Sequence, residues 1–596
     1  MKRLIFIAIV LLSIVSCKKQ TTTENSKTDS TVFNKVLEDY NEGTFRLYPL
    51  NATFAGDYRF NDKLPNYLAN EFKEQEKAFF KQTIENLNQF DDKQLTDSEK
   101  LSKAVLIWEC NINLERLQFN NDLTPIDQMW TQQLTIGQLA SGTSAQPFNT
   151  LDDYNNWLKR VDAYIIWLDS AQKKMEEGIK TGYVLPKSLI VKVIPQFEDL
   201  TTGKPQDHIF YKPATNIPDT FSKNEKQDIE DSYLIMVRDK IIPAYKKMTT
   251  FLKEVYLPAG RESSGVGELS NGLAYYQHQI KTYTTTDMTA DEIHQLGLNE
   301  VARISKEMEK VKQTVGFEGN LIEFFDYVRE NKDLMPFNKP QQVIDNFNTI
   351  YETMQPQLNV LFNKKPKTPF EVKRVEAFRE ASSSAHYNPG TIDGTKPGVF
   401  YVPIPDVKTY NTFADEALFL HEAIPGHHYQ ISLTQESEEL PEFRKTLWYS
   451  SYGEGWALYT ESLGKELGLY TDPYQYFGML SMEMHRAIRL VVDTGIHTKG
   501  WSREQAIQYS LENEAEPEES IEKEIERYMA NPGQALSYKI GQLKIIELRS
   551  RAAMKLGEKF DIKQFHDEVL ETGCIPLNLL ESKINLWIDQ ELSTKD

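Results

Sequence analysis

Helical periodicity constrains this chain more than any other feature. Over most of its 596 residues, apolar side chains recur three and four positions apart, the spacing that aligns them on one face of an α-helix. Residues 96–119 and 151–182 show the pattern well. Thr289-Ala290-Asp291-Glu292 has the form of a capping box and predicts a helix running through Val311. Breaks bearing Pro and Gly recur near 185–220, 257–268 and 363–405, and no solenoid-type repeat is visible. Strand-like sequence is scarce. Its best candidate is Gly398-Val399-Phe400-Tyr401-Val402, shortly before a cluster of histidines. The expected fold is therefore mainly α, with a small β element beside that cluster. Hydrophobic residues make up 40% of the chain and are spread along its length, enough for a sizeable core.

The N-terminus reads as a targeting segment. Met1-Lys2-Arg3 is a basic head, and the apolar run from Leu4 to Val15 is too short for a stable membrane-spanning helix. Ile14-Val15-Ser16-Cys17 resembles a bacterial lipobox, in which the cysteine is lipidated and becomes the new N-terminus. The expectation is a signal peptide over 1–16, a lipidated Cys17 with a flexible Lys-, Thr- and Ser-rich tether over 17–31, and a helical body over 32–596. The body is expected to form two halves, roughly 32–360 and 361–596, flanking a cleft. The protein would then sit in the bacterial cell envelope, on the periplasmic side or the cell surface, touching membrane only through the lipid. Two cysteines remain, Cys110 and Cys574, either paired or buried as free thiols. A formal charge of −20 argues against nucleic acid as a partner. The sequence leaves the oligomeric state open.

The chemistry concentrates in Phe419-Leu420-His421-Glu422-Ala423-Ile424-Pro425-Gly426-His427-His428. Three of the chain's 10 histidines fall here. Neutral imidazole is a good zinc ligand, and a carboxylate beside the first histidine suits a general base. In the common His-Glu-x-x-His motif the two histidines are four apart on one helix face. Position 425, four after His421, is proline, so this motif is of another kind. His428, seven residues after His421, returns to nearly the same face of an unbroken helix. Alternatively, Pro425-Gly426 breaks the helix and swings His427 back toward His421. Both remain open on the residues alone. Tyr452-Gly453-Glu454-Gly455-Trp456-Ala457 offers the third ligand, Glu454, and its glycines call for a close backbone approach. Glu461, seven residues further, would share its face as a supporting acid.

These two runs, together with the run from Arg486 to His497 and that from Gly533 to Gln542, resemble the bacterial family labelled domain of unknown function 885. Its members are often described as lipoproteins. The resemblance covers nearly all of the expected mature chain and is densest over 380–545. It implies a fold similar to helical zinc peptidases of the gluzincin, neurolysin-like kind, with a deep central channel that suits short peptides. Several gluzincins place glycine before their second histidine ligand, as Gly426-His427 does, and related peptidases use a downstream tyrosine, here Tyr538, to stabilise an oxyanion.

The expected reaction is hydrolysis of peptide bonds in short peptides. Zn2+ would be held by His421, His427 (or His428) and Glu454, with Glu422 as general base. Tyr538 and His497 are the candidate oxyanion donors, His497 with Asp493 one turn earlier to fix its tautomer. Arg486 and Arg489 would bind a substrate carboxylate or else an internal glutamate. An edge strand through Tyr401 would let a peptide pair by its backbone, with Phe400 and Tyr401 on opposite sides. Two other classes stay in view: a metal-dependent hydrolase of a non-peptide amide or ester, and a binding lipoprotein without catalysis. No P-loop and no Gly-x-Ser-x-Gly elbow is present.

Overall fold

Several helices in the computed structural model begin where a side chain satisfies the first free backbone amides. Residues 20–376, 380, 383–391 and 394–593 are described; the expected signal segment and Cys17 lie outside them. The longer helices are α1 (Gln20–Leu47), α2 (Asn70–Leu87), α3 (Asp97–Arg116), α4 (Leu151–Thr181), α5 (Lys187–Glu198), α6 (Lys223–Met236), α7 (Ile242–Phe251), α8 (Gly272–Thr284), α9 (Ala290–Thr314) and α10 (Pro340–Met354). After a small sheet come α11 (Asp415–Glu422), α12 (His427–Glu436), α13 (Ser450–Glu461), α14 (Pro473–Thr498), α15 (Glu518–Ala530), α16 (Ser537–Leu556) and α17 (Leu577–Ser593). Thr96, Thr150 and Thr289 close capping boxes with Glu99, Asp153 and Glu292 at the starts of α3, α4 and α9. Gly182 ends α4 with a φ of 75°, a left-handed position that favours glycine.

One segment differs from the sequence reading. Helix α1 starts at Gln20, so most of the expected tether is helical. That stretch holds no Gly or Pro to break a helix. Cys110 and Cys574 are both buried free thiols.

Buried side chains gather into two cores. The smaller is aromatic, built on α4–α7 around Trp157, Tyr164, Phe210 and Tyr245. The larger takes in α1–α3 and nearly everything after residue 265. It holds the histidine cluster. Here α9 packs along α14, and α13 against α16.

The sheet has three strands, β1 (Phe370–Arg374), β2 (His386–Asn388) and β3 (Gly398–Val402), in the order β1-β3-β2. β1 pairs parallel with β3, and β2 pairs antiparallel with it. The strand through Tyr401 is thus central, and both its edges are already paired. Its composition explains this: Val399, Phe400 and Val402 are all buried, as in a strand covered on both sides. Among the described residues the unpaired edges belong to β1 and β2. Phe400 is packed under Phe347 of α10, and the half-buried Tyr401 stacks on His386 at 5.3 Å.

Candidate metal centre

The histidine cluster straddles a break between two helices. α11 ends at Glu422 and α12 starts at His427. Between them Ala423 and Gly426 have ψ of −106° and −128°, and the Ile424–Pro425 peptide is cis. Pro425 has no amide hydrogen to continue the ladder. A Cβ at Gly426 would collide with the carbonyl oxygens of His421 and Leu420, so the chain doubles back onto the last turn of α11 only because this residue is glycine. Trp456 Nε1 donates to the Pro425 carbonyl at 2.9 Å, and Thr460 Oγ1 to the Leu420 carbonyl at 2.8 Å, which fixes the loop against α13.

The break brings the rings of His421 and His427 to 4.9 Å, edge to face. Glu454 reaches both from α13: its Oε2 lies 3.6 Å from His421 Nε2 and 3.4 Å from His427 Nε2. One ligand atom from each of the three residues falls within 4.8 Å of the others, a grouping able to hold a metal ion. His421 Nδ1 faces Glu461 Oε1 at 2.7 Å, which leaves Nε2 as the atom turned to the group. Burial opposes charge on His421, yet Glu454 and Glu461 raise it to about 9. Burial likewise opposes ionisation of Glu454, but His427 and His421 hold it well below the usual carboxylate range.

His428 is turned away. Adjacent helical residues point about 100° apart. Tyr387 of β2 lies 2.9 Å from its Nδ1, Phe370 of β1 packs on its ring, and burial lowers it to about 4. It ties α12 to the sheet.

The glycines around Glu454 have separate causes. Gly455 crosses Gly541 of α16 so closely that a Cβ on either would meet the other helix's backbone. A Cβ at Gly453 would enter the ring of Trp448. Trp448, which sequence reasoning missed, lies 6.0 Å from the His427 ring and is 45% exposed. The available signal was an aromatic residue shortly before the Gly-Glu-Gly run.

Glu422 is half-buried at the end of α11 and has no hydrogen-bond or ion-pair partner among the described residues. Tyr538 sits in the first turn of α16, three residues before Gly541 and therefore on the same helix face. Its hydroxyl has no partner among the described residues either. Burial and the charge of Glu454 both raise its pKa.

Two expected residues are held by internal partners. His497 is buried, and both ring nitrogens are engaged with the backbone, Nδ1 with the Val266 amide at 3.1 Å and Nε2 with the Tyr528 carbonyl at 3.0 Å. Asp493 accepts from Tyr276 at 2.5 Å and from the Gly533 amide rather than holding His497. The imidazole is a structural bridge with no nitrogen free for an oxyanion. Arg489 donates to Glu524 at 2.9 Å, so its carboxylate partner is internal. Arg486 has no carboxylate partner among the described residues.

The bridging role of His497 predicts a pH effect. Burial lowers it to about 3, so between that value and about 6.5, the unfolded value, the native state binds fewer protons than the unfolded chain. Its contribution to stability is present above pH 6.5 and is lost as pH falls toward 3. His497→Gln keeps a donor and an acceptor without titrating. Urea melts at pH 7.5 and 5 should show wild type losing on the order of 2 kcal/mol more than the variant; equal losses would refute the assignment.

Fold and site together define a mainly helical protein with a centre of two histidines and one carboxylate. Over residues 49–584 the chain matches the family described as "Bacterial protein of unknown function (DUF885)", and it belongs to that family. The fold is also that of a candidate lipoprotein from Colwellia psychrerythraea, with 28% identity and a TM-score of 0.84 over 95% of this chain and 99% of that one. A candidate lipoprotein of unknown function from Shewanella oneidensis has 19% identity and a TM-score of 0.72 over 92% and 99%. No curated protein matches the chain.

Proposed function

We propose that this protein is a zinc-dependent peptidase of gluzincin type that cleaves short peptides while tethered to the bacterial envelope through Cys17. The convergence of His421, His427 and Glu454 beside an unpartnered Glu422 carries the reading. Donors 2.0–2.2 Å from a tetrahedral zinc ion stand about 3.3–3.6 Å apart. The separations of 3.4 and 3.6 Å from Glu454 to the two imidazoles fit that ion. When bound, zinc acts as a Lewis acid and brings the pKa of a coordinated water toward neutrality.

The side chains of this chain supply the rest. Glu461 holds the His421 tautomer, as carboxylates behind zinc-binding histidines do. Glu422 has free carboxylate oxygens, so it can take a proton from the attacking water and pass it to the leaving amine. The Tyr538 hydroxyl, held protonated by burial and by Glu454, can donate to the carbonyl oxygen as negative charge develops there. The exposed Trp448 ring beside His427 offers an apolar wall to a substrate side chain. Envelope tethering is supported by the lipobox-like Ile14–Cys17 run and by relatives described as candidate lipoproteins. Among the described residues no helix is long and apolar enough to cross a membrane.

The test is a mixture of synthetic peptides of two to ten residues, incubated with zinc-loaded and with metal-stripped protein and followed by mass spectrometry. Cleavage by the loaded form alone is expected. Intact peptides in both samples would overturn the peptidase reading.

A further inference from the structure

Next to the metal centre lies a concentration of positive charge that the protein itself leaves unbalanced. Arg486 and Arg489 of α14 both lie over the ring of Tyr538, 5.9 and 4.5 Å from its centroid. Behind them, α15 supplies Glu524, Arg527 and Tyr528. Glu524 accepts from Arg489 at 2.9 Å, from Arg527 at 2.8 Å and from the Tyr528 hydroxyl at 2.7 Å. A second nearby acid, Glu514, faces His485 Nδ1 at 2.5 Å. Glu454, whose charge also reaches Tyr538, faces His421 and His427; of these three carboxylates only Glu524 pairs with any of the three guanidiniums.

The shortfall falls on Arg486. Its one hydrogen bond is a long one, 3.3 Å, to the Met482 carbonyl of its own helix. Its Nε is buried without a partner, and so is Nη1 of Arg489, whose side chain is 8% exposed. A buried guanidinium without an anion is destabilising, and a guanidinium fork recognises a carboxylate through two parallel hydrogen bonds. Tyr538 connects this group to the triad. Its helix crosses α13 at Gly541 and Gly455, directly beside Glu454.

We infer that Arg486, with Arg489 and Tyr538 beside it, forms a subsite for a substrate carboxylate, and that the peptides taken by this centre carry one there. The inference rests on the peptidase reading for its substrate, and on the unpartnered guanidinium atoms for its chemistry. A free C-terminus and an acidic side chain present the same group.

The experiment measures binding rather than turnover. Zinc-loaded Glu422→Gln protein, mature chain, is titrated by calorimetry with Ala-Phe-Ala, with its C-terminal amide, and with amidated Ala-Phe-Glu. The free acid is expected to bind about 10- to 100-fold more tightly than its amide, the range for charged hydrogen bonds. Amidated Ala-Phe-Glu binding as tightly as the free acid would show that the subsite takes an acidic side chain as well as a C-terminus; binding as weakly as the other amide would restrict it to the C-terminus. Adding Arg486→Gln should remove the preference, and Arg486→Lys should keep part of it. Because Arg486 lacks an internal anion, Arg486→Gln should melt no lower than its parent, whereas a structural arginine would lower the melting temperature when removed. Equal binding of acid and amide, or no binding of any probe, overturns the subsite. Arginine-dependent binding without cleavage by the wild type would overturn the peptidase reading and leave the subsite standing.

Discussion

Glu422→Gln lowers kcat for peptide cleavage by about 10^2- to 10^4-fold, the range for loss of a general base, and leaves KM and zinc content nearly unchanged. Three observations set this expectation. Glu422 directly follows His421 on α11, its carboxylate has no hydrogen-bond or ion-pair partner among the described residues, and it is no member of the triad. Glutamine has nearly the same shape and should leave the backbone break undisturbed. A Glu422→Gln enzyme with wild-type kcat would assign the proton transfer to another group. One that lost zinc would move Glu422 into the coordination sphere.

The largest effect on stability is expected at a residue with no chemistry. Gly541→Val should cost about 3 kcal/mol or prevent folding, at or beyond the upper end of overpacking effects, because backbone cannot yield as a side chain does. A Cβ at this position meets the Ser451 carbonyl and Gly455 Cα of α13. Separating the helices would also move Glu454, so zinc affinity should fall with stability. Gly137 is the control. It lies within a helix with nothing near the position of an added Cβ, and Gly137→Ala should stabilise by about 0.5–1 kcal/mol. Urea denaturation of both variants checks the pair. A Gly541→Val protein as stable as wild type would mean that α13 and α16 are not locked at this crossing.

Local chemistry was readable from the sequence where neighbours in the chain decide the outcome. Thr289 caps the helix it precedes, since a capping box needs only residues three apart. The glycines beside Glu454 signalled a close approach that Gly455 makes with Gly541. Features set by distant partners were not legible. The choice between His427 and His428 turns on the backbone of residues 420–426 folding onto itself, and on Tyr387 and Phe370 receiving the other imidazole. His497 looked available because Val266 and Tyr528, its partners, lie 231 and 31 residues away. For Arg489 the choice between a substrate carboxylate and an internal glutamate stayed open for the same reason, and Glu524 of α15 settles it. The strand at 398–402 was found, but its central position depends on β1 and β2, which are short and half polar.

One measurement bears most directly on the claim that His421, His427 and Glu454 hold a catalytic zinc ion. Metal-free mature protein is titrated with Zn2+ by calorimetry, wild type beside Glu454→Ala. The account predicts one tight site per chain in the wild type and its loss, or a weakening of at least about 100-fold, in the variant, since removing one of three protein ligands opens the site. No saturable binding to the wild type, or undiminished binding to Glu454→Ala, would contradict it.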